Sequence, residues 1–204
     1  MREITRDGGY RVYVLQSTRG AYAYFVDGKQ AILVDTSFPG RGPDIFKELG
    51  GMVKRLSDIV ITHYDVDHIG SLKWIADRTG ARVWLPVGDA PYILGQKPRP
   101  GLKRIMAGIM QVERPGTHEM LEPGGRVGPL EAVASPGHTP GHMAYRGLGC
   151  LFVGDAMATR LGAPAPTPRI LATDPNAMQA TMIALIAGFE GWILPAHGDP
   201  IQLS

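Results

Sequence analysis

His63, Asp65, Asp67 and His68 fall within six residues, in the run Thr62-His63-Tyr64-Asp65-Val66-Asp67-His68. Imidazole nitrogens and carboxylate oxygens bind Zn²⁺ at about 2.0–2.2 Å, and carboxylates also suit Mn²⁺ and Fe²⁺. Two acids and two histidines with no Lys or Arg among them repel unless a cation joins them. The plain alternative is a polar loop with an Asp helix cap. A second cluster is Ser135-Pro136-Gly137-His138-Thr139-Pro140-Gly141-His142. Its two Pro-Gly pairs impose tight turns, and a stiff loop can hold one imidazole in a fixed place; a surface turn with incidental histidines is the alternative. Gly154-Asp155 and Pro195-Ala196-His197-Gly198 each follow an apolar run. Alone, either would pass for an ordinary strand end. Of the six histidines only His118 stands apart, and it is assigned no role.

Apolar periodicity supplies the elements that must carry these residues. Tyr10 to Gln16, Ala21 to Val26 and Ala31 to Val34 read as strands, with Asp27-Gly28 as a hairpin turn. Pro43 to Leu49 reads as a short helix. Asp58 to Thr62 reads as a buried strand that delivers His63 at its C-terminal end. Helical spacing from Ile69 to Ala76 stops at Thr79-Gly80, and Ala81 to Leu85 is a further strand. Leu102 to Val112 reads as an amphipathic helix. Strands return at Ala132 to Ala134, His142 to Tyr145 and Leu151 to Val153. A Pro-rich loop from Ala163 to Pro168 leads to a helix over Asn176 to Ala187, and a last strand covers Trp192 to Leu194. Strands and helices alternate in two similar halves. This reads as one α/β domain over residues 1–204, with two sheets inside and helices outside.

The motifs, in this order, resemble the metallo-β-lactamase superfamily. The matching pieces are Leu33-Val34-Asp35-Thr36, the His63–His68 run, Pro136 to His142, Gly154-Asp155 and Pro195 to Gly198. The resemblance implies an αββα sandwich, two mixed sheets flanked by helices, with a dinuclear metal site at one sheet edge. Carried over by position, one ion would be held by His63, Asp65 and His138, the other by Asp67, His68 and His197, with Asp155 between them. Asp35 and His142 match positions that support such ligands. Asp65 is a departure, because the family usually has His there. Three carboxylates against two divalent ions leave about one net positive charge, which makes harder metals more plausible beside zinc. A mononuclear site stays open.

The implied chemistry is hydrolysis by a metal-activated water that attacks the carbonyl of an ester, lactone or thioester. Asp67 would be the catalytic residue, holding the water and passing a proton to the leaving group. The expected cofactors are two divalent ions, zinc first and manganese or iron as alternatives. A diiron redox protein and a non-catalytic metal binder are weaker readings, and β-lactamase or phosphodiesterase action is disfavoured. Tyr92, Ile105, Met106, Ile109 and Met110 are candidate apolar wall, against the simpler reading of a packed helix face. Tyr64 either donates a hydrogen bond in the site or packs away from it, and Phe38 is a weaker pocket candidate.

Composition bounds the partners. The chain has 204 residues, net charge +2 and 44% hydrophobic residues, with no long run of like charge. A small-molecule substrate is expected, with no nucleic acid or membrane partner, and a homodimer is left open. The polar segment Met1 to Asp7 lacks the apolar core of a secretory signal, so the expected location is cytoplasmic. Cys150 is the single cysteine and reads as core.

Overall fold

Alternate residues of the early strands enter two different cores. The computed structural model describes residues 1–110 and 112–204, apart from the side chains of Leu102 and Ala107. Strands β1 (Arg2–Asp7), β2 (Tyr10–Val14), β3 (Tyr24–Asp27), β4 (Ala31–Val34), β5 (Leu56–Val60), β6 (Arg82–Pro86) and β7 (Glu119–Leu121) form one sheet in that order. The helices are α1 (Gly42–Leu49), α2 (Val66–Ile69), α3 (Leu72–Thr79), α4 (Ala90–Ile93), α5 (Gly101–Ile109) and α6 (Pro175–Ile186). Tyr13, Phe25, Leu33 and Ile59 pack outward beneath Ile45 of α1 and Leu72 and Ile75 of α3. Their neighbours Val12, Val14, Tyr24, Val26, Ile32, Val34 and Val60 face the other way. This is the period-two rule of a strand, with both faces covered.

The inward face meets a second sheet. Its strands are β8 (Arg126–Val127), β9 (Leu130–Ala134), β10 (Met143–Gly147), β11 (Cys150–Gly154), β14 (Gly191–Pro195) and β15 (Ile201–Leu203), in the order β15-β14-β11-β10-β9-β8. Leu130, Ala132, Tyr145, Cys150, Phe152 and Leu194 complete the layer between the sheets. Leu151, Val153 and Ile193 point to the far side, against Leu185 of α6. The result is the αββα sandwich. A separate hairpin pairs β12 (Ala158–Arg160) with β13 (Ala163–Ala165).

Several boundaries differ from the sequence reading, each for a physical reason. Met1 to Asp7 is not merely a polar stretch, because Arg2–Asp7 forms the edge strand β1. An edge strand needs little apolar surface, so its polar sequence carries no strand signal. Part of the Pro-rich loop is β13, and the short strands β7 and β8 lack a periodic pattern of their own. The Ile69–Ala76 periodicity is split into α2 and α3 at Gly70, whose N–H donates to Ser37 O at 2.9 Å and where a Cβ would approach Pro39 N to 2.2 Å. Helix α5 ends at Ile109, and Gln111 lies outside the described residues. Among the described residues no helix is long and apolar enough to cross a membrane.

Candidate metal centre

Parallel pairing decides which strand ends meet. β4 and β5 run parallel, so Asp35 and His63, each just past its strand, emerge at one edge. β11 and β14 also run parallel, which brings Asp155 and His197 out together. Cross-links between the sheets bring the two edges into register. Met143 N donates to Thr62 O at 2.9 Å and Tyr22 N to Ala196 O at 2.9 Å. The Tyr145 hydroxyl donates to Ile61 O at 2.7 Å and that of Tyr24 to Pro195 O at 2.6 Å.

The seven expected side chains converge there. His63, Asp65, His138 and Asp155 form one group and Asp67, His68 and His197 another, each with ligand atoms within 4.8 Å of one another. His138 Nε2 lies 2.9 Å from Asp65 Oδ2 and 3.3 Å from Asp155 Oδ2, and His63 Nε2 lies 3.4 Å from Asp65 Oδ2. In the other group His197 Nε2 lies 3.3 Å from Asp67 Oδ2 and 3.4 Å from Asp155 Oδ1. His68 Nε2 is also 3.4 Å from Asp155 Oδ1. Donors bound tetrahedrally at about 2.1 Å stand about 3.4 Å apart, so most of these spacings suit ligands around a shared ion. Several atoms facing the centre also lack other partners. His63 Nε2, His68 Nε2, Asp65 Oδ1 and Asp155 Oδ1 are buried without a hydrogen-bond partner among the described residues. Such atoms are costly unless something binds them. The donor set therefore fits a pair of divalent cations.

Neighbouring groups fix the orientation of these side chains. Asp35 Oδ2 lies 2.8 Å from His68 Nδ1, while its carboxylate also accepts from Thr62 N and Thr62 Oγ1 at 2.8 Å each. With Nδ1 so engaged, His68 Nε2 is free to face the centre. Asp35 pays for this reach with a left-handed backbone, φ 59°. His142 Nε2 accepts from Asp155 N at 3.1 Å, and its Nδ1 lies 2.7 Å from Ser135 Oγ. Gly154 (φ +49°) makes the turn into Asp155, and a Cβ there would come within 2.8 Å of both His142 Nε2 and Thr62 Oγ1.

The charges are strongly coupled. Burial works against a proton on His68, but Asp35 and Asp155 outweigh it and hold its pKa well above the usual value. Burial likewise opposes protonation of His197, yet Asp155 and Asp67 push it up to about 10. Burial opposes charge on Asp65 and Asp155, but the surrounding histidines, with Lys103 beside Asp65, hold both well below the carboxylate range. Left to its own side chains, the cluster balances its carboxylates with protons, which an arriving cation would displace.

Two important residues belong to none of the sequence motifs. Asp89 is fully buried before α4 and accepts from Tyr64 N at 3.1 Å, Thr139 Oγ1 at 2.6 Å and Gly141 N at 2.8 Å. It ties the His63 loop to the His138 loop. Burial raises its pKa to about 6 despite those donors. Lys103 of α5 reaches into the centre, with Nζ 2.7 Å from Asp65 Oδ2 and 2.9 Å from His138 Nε2. The available signal was the spacing of Lys103 and Met106, which puts both on one helix face.

A cavity of about 120 Å³ opens beside the cluster, lined by Asp65, Val66, Asp67, Arg99, Lys103, Met106, Asp155, Leu171 and His197. Of the apolar wall expected from sequence only Met106 lines it. Ile105 and Ile109 are 61% and 78% exposed, so they form neither a pocket wall nor a packed face. Tyr92 packs at a tilt on Tyr64, whose buried ring lies away from solvent. Phe38 is not among the lining residues, and His118 is in neither ligand group.

Residues 17–197 match the model of the metallo-beta-lactamase superfamily. The chain belongs to that superfamily. It is 31% identical over 149 residues to the YobT protein of Bacillus subtilis (strain 168), an alignment covering 68% of this chain and 63% of that one. It is 30% identical over 131 residues to a hydroxyacylglutathione hydrolase of Thiobacillus denitrificans (strain ATCC 25259 / T1), covering 64% of this chain and 43% of the relative. The chain thus spans less than two thirds of the length of these curated relatives. Among solved structures, TTHA1623 in a di-iron-bound form superposes with TM-score 0.67 at 22% identity, covering 99% of this chain and 94% of that one. That likeness concerns the fold alone.

Proposed function

We propose that the chain is a metal-dependent hydrolase of ester, lactone or thioester substrates. His63, Asp65 and His138 would hold one divalent ion and Asp67, His68 and His197 a second, with Asp155 between the two groups. The observation that carries this reading is the division of the Asp155 carboxylate, with Oδ2 3.3 Å from His138 and Oδ1 3.4 Å from His68 and His197. The relative named for hydrolysing a hydroxyacyl-glutathione supports attack at a carbonyl. Zinc is the first expectation for the metal, with manganese or iron favoured next by the three carboxylates.

Bound divalent ions supply a lowered water pKa and a Lewis acid for the carbonyl. The chain's residues do the rest. Asp67, on the cavity wall, holds a water by its carboxylate and takes its proton. The water oxygen adds to the carbonyl carbon, the carbon–oxygen or carbon–sulfur bond breaks, and the proton passes to the leaving oxygen or sulfur. Val66, Met106 and Leu171 give the acyl group an apolar seat and exclude bulk water. Arg99 and Lys103 on the same wall favour a substrate with negative charge near its carbonyl.

The test is metal analysis of protein grown in rich medium, followed by a screen of thioester, lactone, phosphoester and β-lactam substrates. Thioester or lactone turnover that needs the metal supports the proposal. Iron with no hydrolysis overturns it in favour of redox chemistry. Asp67→Ala should lower kcat by about a thousandfold or more. Wild-type turnover in that variant with its metal retained would reject the role of Asp67.

A further inference from the structure

Lys103 stands where only one cation can stand. Its Nζ lies 2.7 Å from Asp65 Oδ2, 2.9 Å from His138 Nε2 and 3.3 Å from His138 O. The residue is only 6% exposed. An imidazole nitrogen has a single in-plane site, which is filled by a proton, by a donor's hydrogen or by a metal, one at a time. His138 Nε2 therefore cannot accept from Lys103 and bind a metal together. An ammonium held at Asp65 Oδ2 also repels a divalent ion approaching the same oxygen. Among the described contacts, no lysine or arginine stands in the same way at Asp67, His68 or His197.

We infer that Lys103 is a tethered competitor for the half of the centre built from His63, Asp65 and His138. The centre then fills in two unequal steps. The Asp67, His68 and His197 half, completed by Asp155 Oδ1, takes its ion first. The other half fills only as Lys103 withdraws from Asp65 and His138. The structure offers the side chain somewhere to go. Lys103 Nζ already lies 5.1 Å from the centre of the Tyr64 ring, and the residue lines the cavity. The inference rests on the metal-ligand reading of the centre and is independent of the substrate.

Zinc titration of metal-stripped, full-length protein against a chromophoric chelator tests it. The two dissociation constants should differ by about tenfold or more in the wild type, and Lys103→Met should tighten the weaker one by about tenfold while leaving the tighter one unchanged. A second readout uses the wild type alone. Acetylation of Lys103, followed by mass spectrometry, should be low with no zinc and with one equivalent, and should rise as the second binds. Two equal constants in the wild type, a weaker constant unmoved in the variant, or flat Lys103 labelling would each overturn the inference. If zinc does not bind at all, the metal reading under Proposed function fails with it. If zinc binds in two equal steps and hydrolysis persists, only the role of Lys103 falls.

Discussion

Asp35 and Asp89 show how one carboxylate can organise a site it does not enter. Asp35 fixes the His68 ring and the Thr62 turn together. Asp35→Asn puts an amide where a charged acceptor stood, so zinc affinity should fall by about ten- to a hundredfold in a chelator competition. Asp89 makes a prediction about pH. Its pKa is about 6 in the fold against 3.8 as the ordinary value. Between those values the folded chain keeps a proton that the unfolded chain has released, so the Asp89 contribution to stability falls as pH rises from about 4 to 6. Wild type should therefore lose on the order of 2–3 kcal/mol relative to Asp89→Asn across that window, read by urea unfolding at each pH. A flat difference would mean that Asp89 is ionised throughout.

The elements show why parts of the centre were legible and parts were not. His63, His138, Asp155 and His197 each follow an apolar strand or sit in a Pro-Gly turn, so local sequence places them at strand ends. The parallel pairs β4·β5 and β11·β14 then place those ends at one edge. Asp89 and Lys103 escape such reading because their partners lie 25 to 52 and 35 to 38 residues away in sequence. No periodicity encodes that distance. β1 and β13 were missed for a related cause, since short or solvated strands need no apolar pattern. The turn between β11 and Asp155 is tightly constrained. Gly154→Ala adds a Cβ in a left-handed backbone against His142 and Thr62. It should cost about 1–3 kcal/mol in unfolding and weaken zinc binding, because Asp155 moves with the turn.

At the scale of the whole molecule the donors divide between the two sheets. His63, Asp65, Asp67 and His68 follow β5 of the first sheet, while His138, Asp155 and His197 belong to loops of the second. A metal held between them binds only the folded pairing of the sheets. Zinc at about a thousand times its Kd should add about 4 kcal/mol, a rise in Tm of about 8–16 °C for a chain of this size. A chelator should reverse it, and a Tm indifferent to zinc would mean that the groups do not share an ion.

The turn from Glu122 to Gly125 is where the chain leaves one sheet for the other. Scission there would yield two polypeptides that each own part of the donor set and one wall of the layer that contains Val26 and Leu130. Each piece alone should bind zinc feebly. Mixed, they should reassemble, and the ion would serve as the rivet of the complementation.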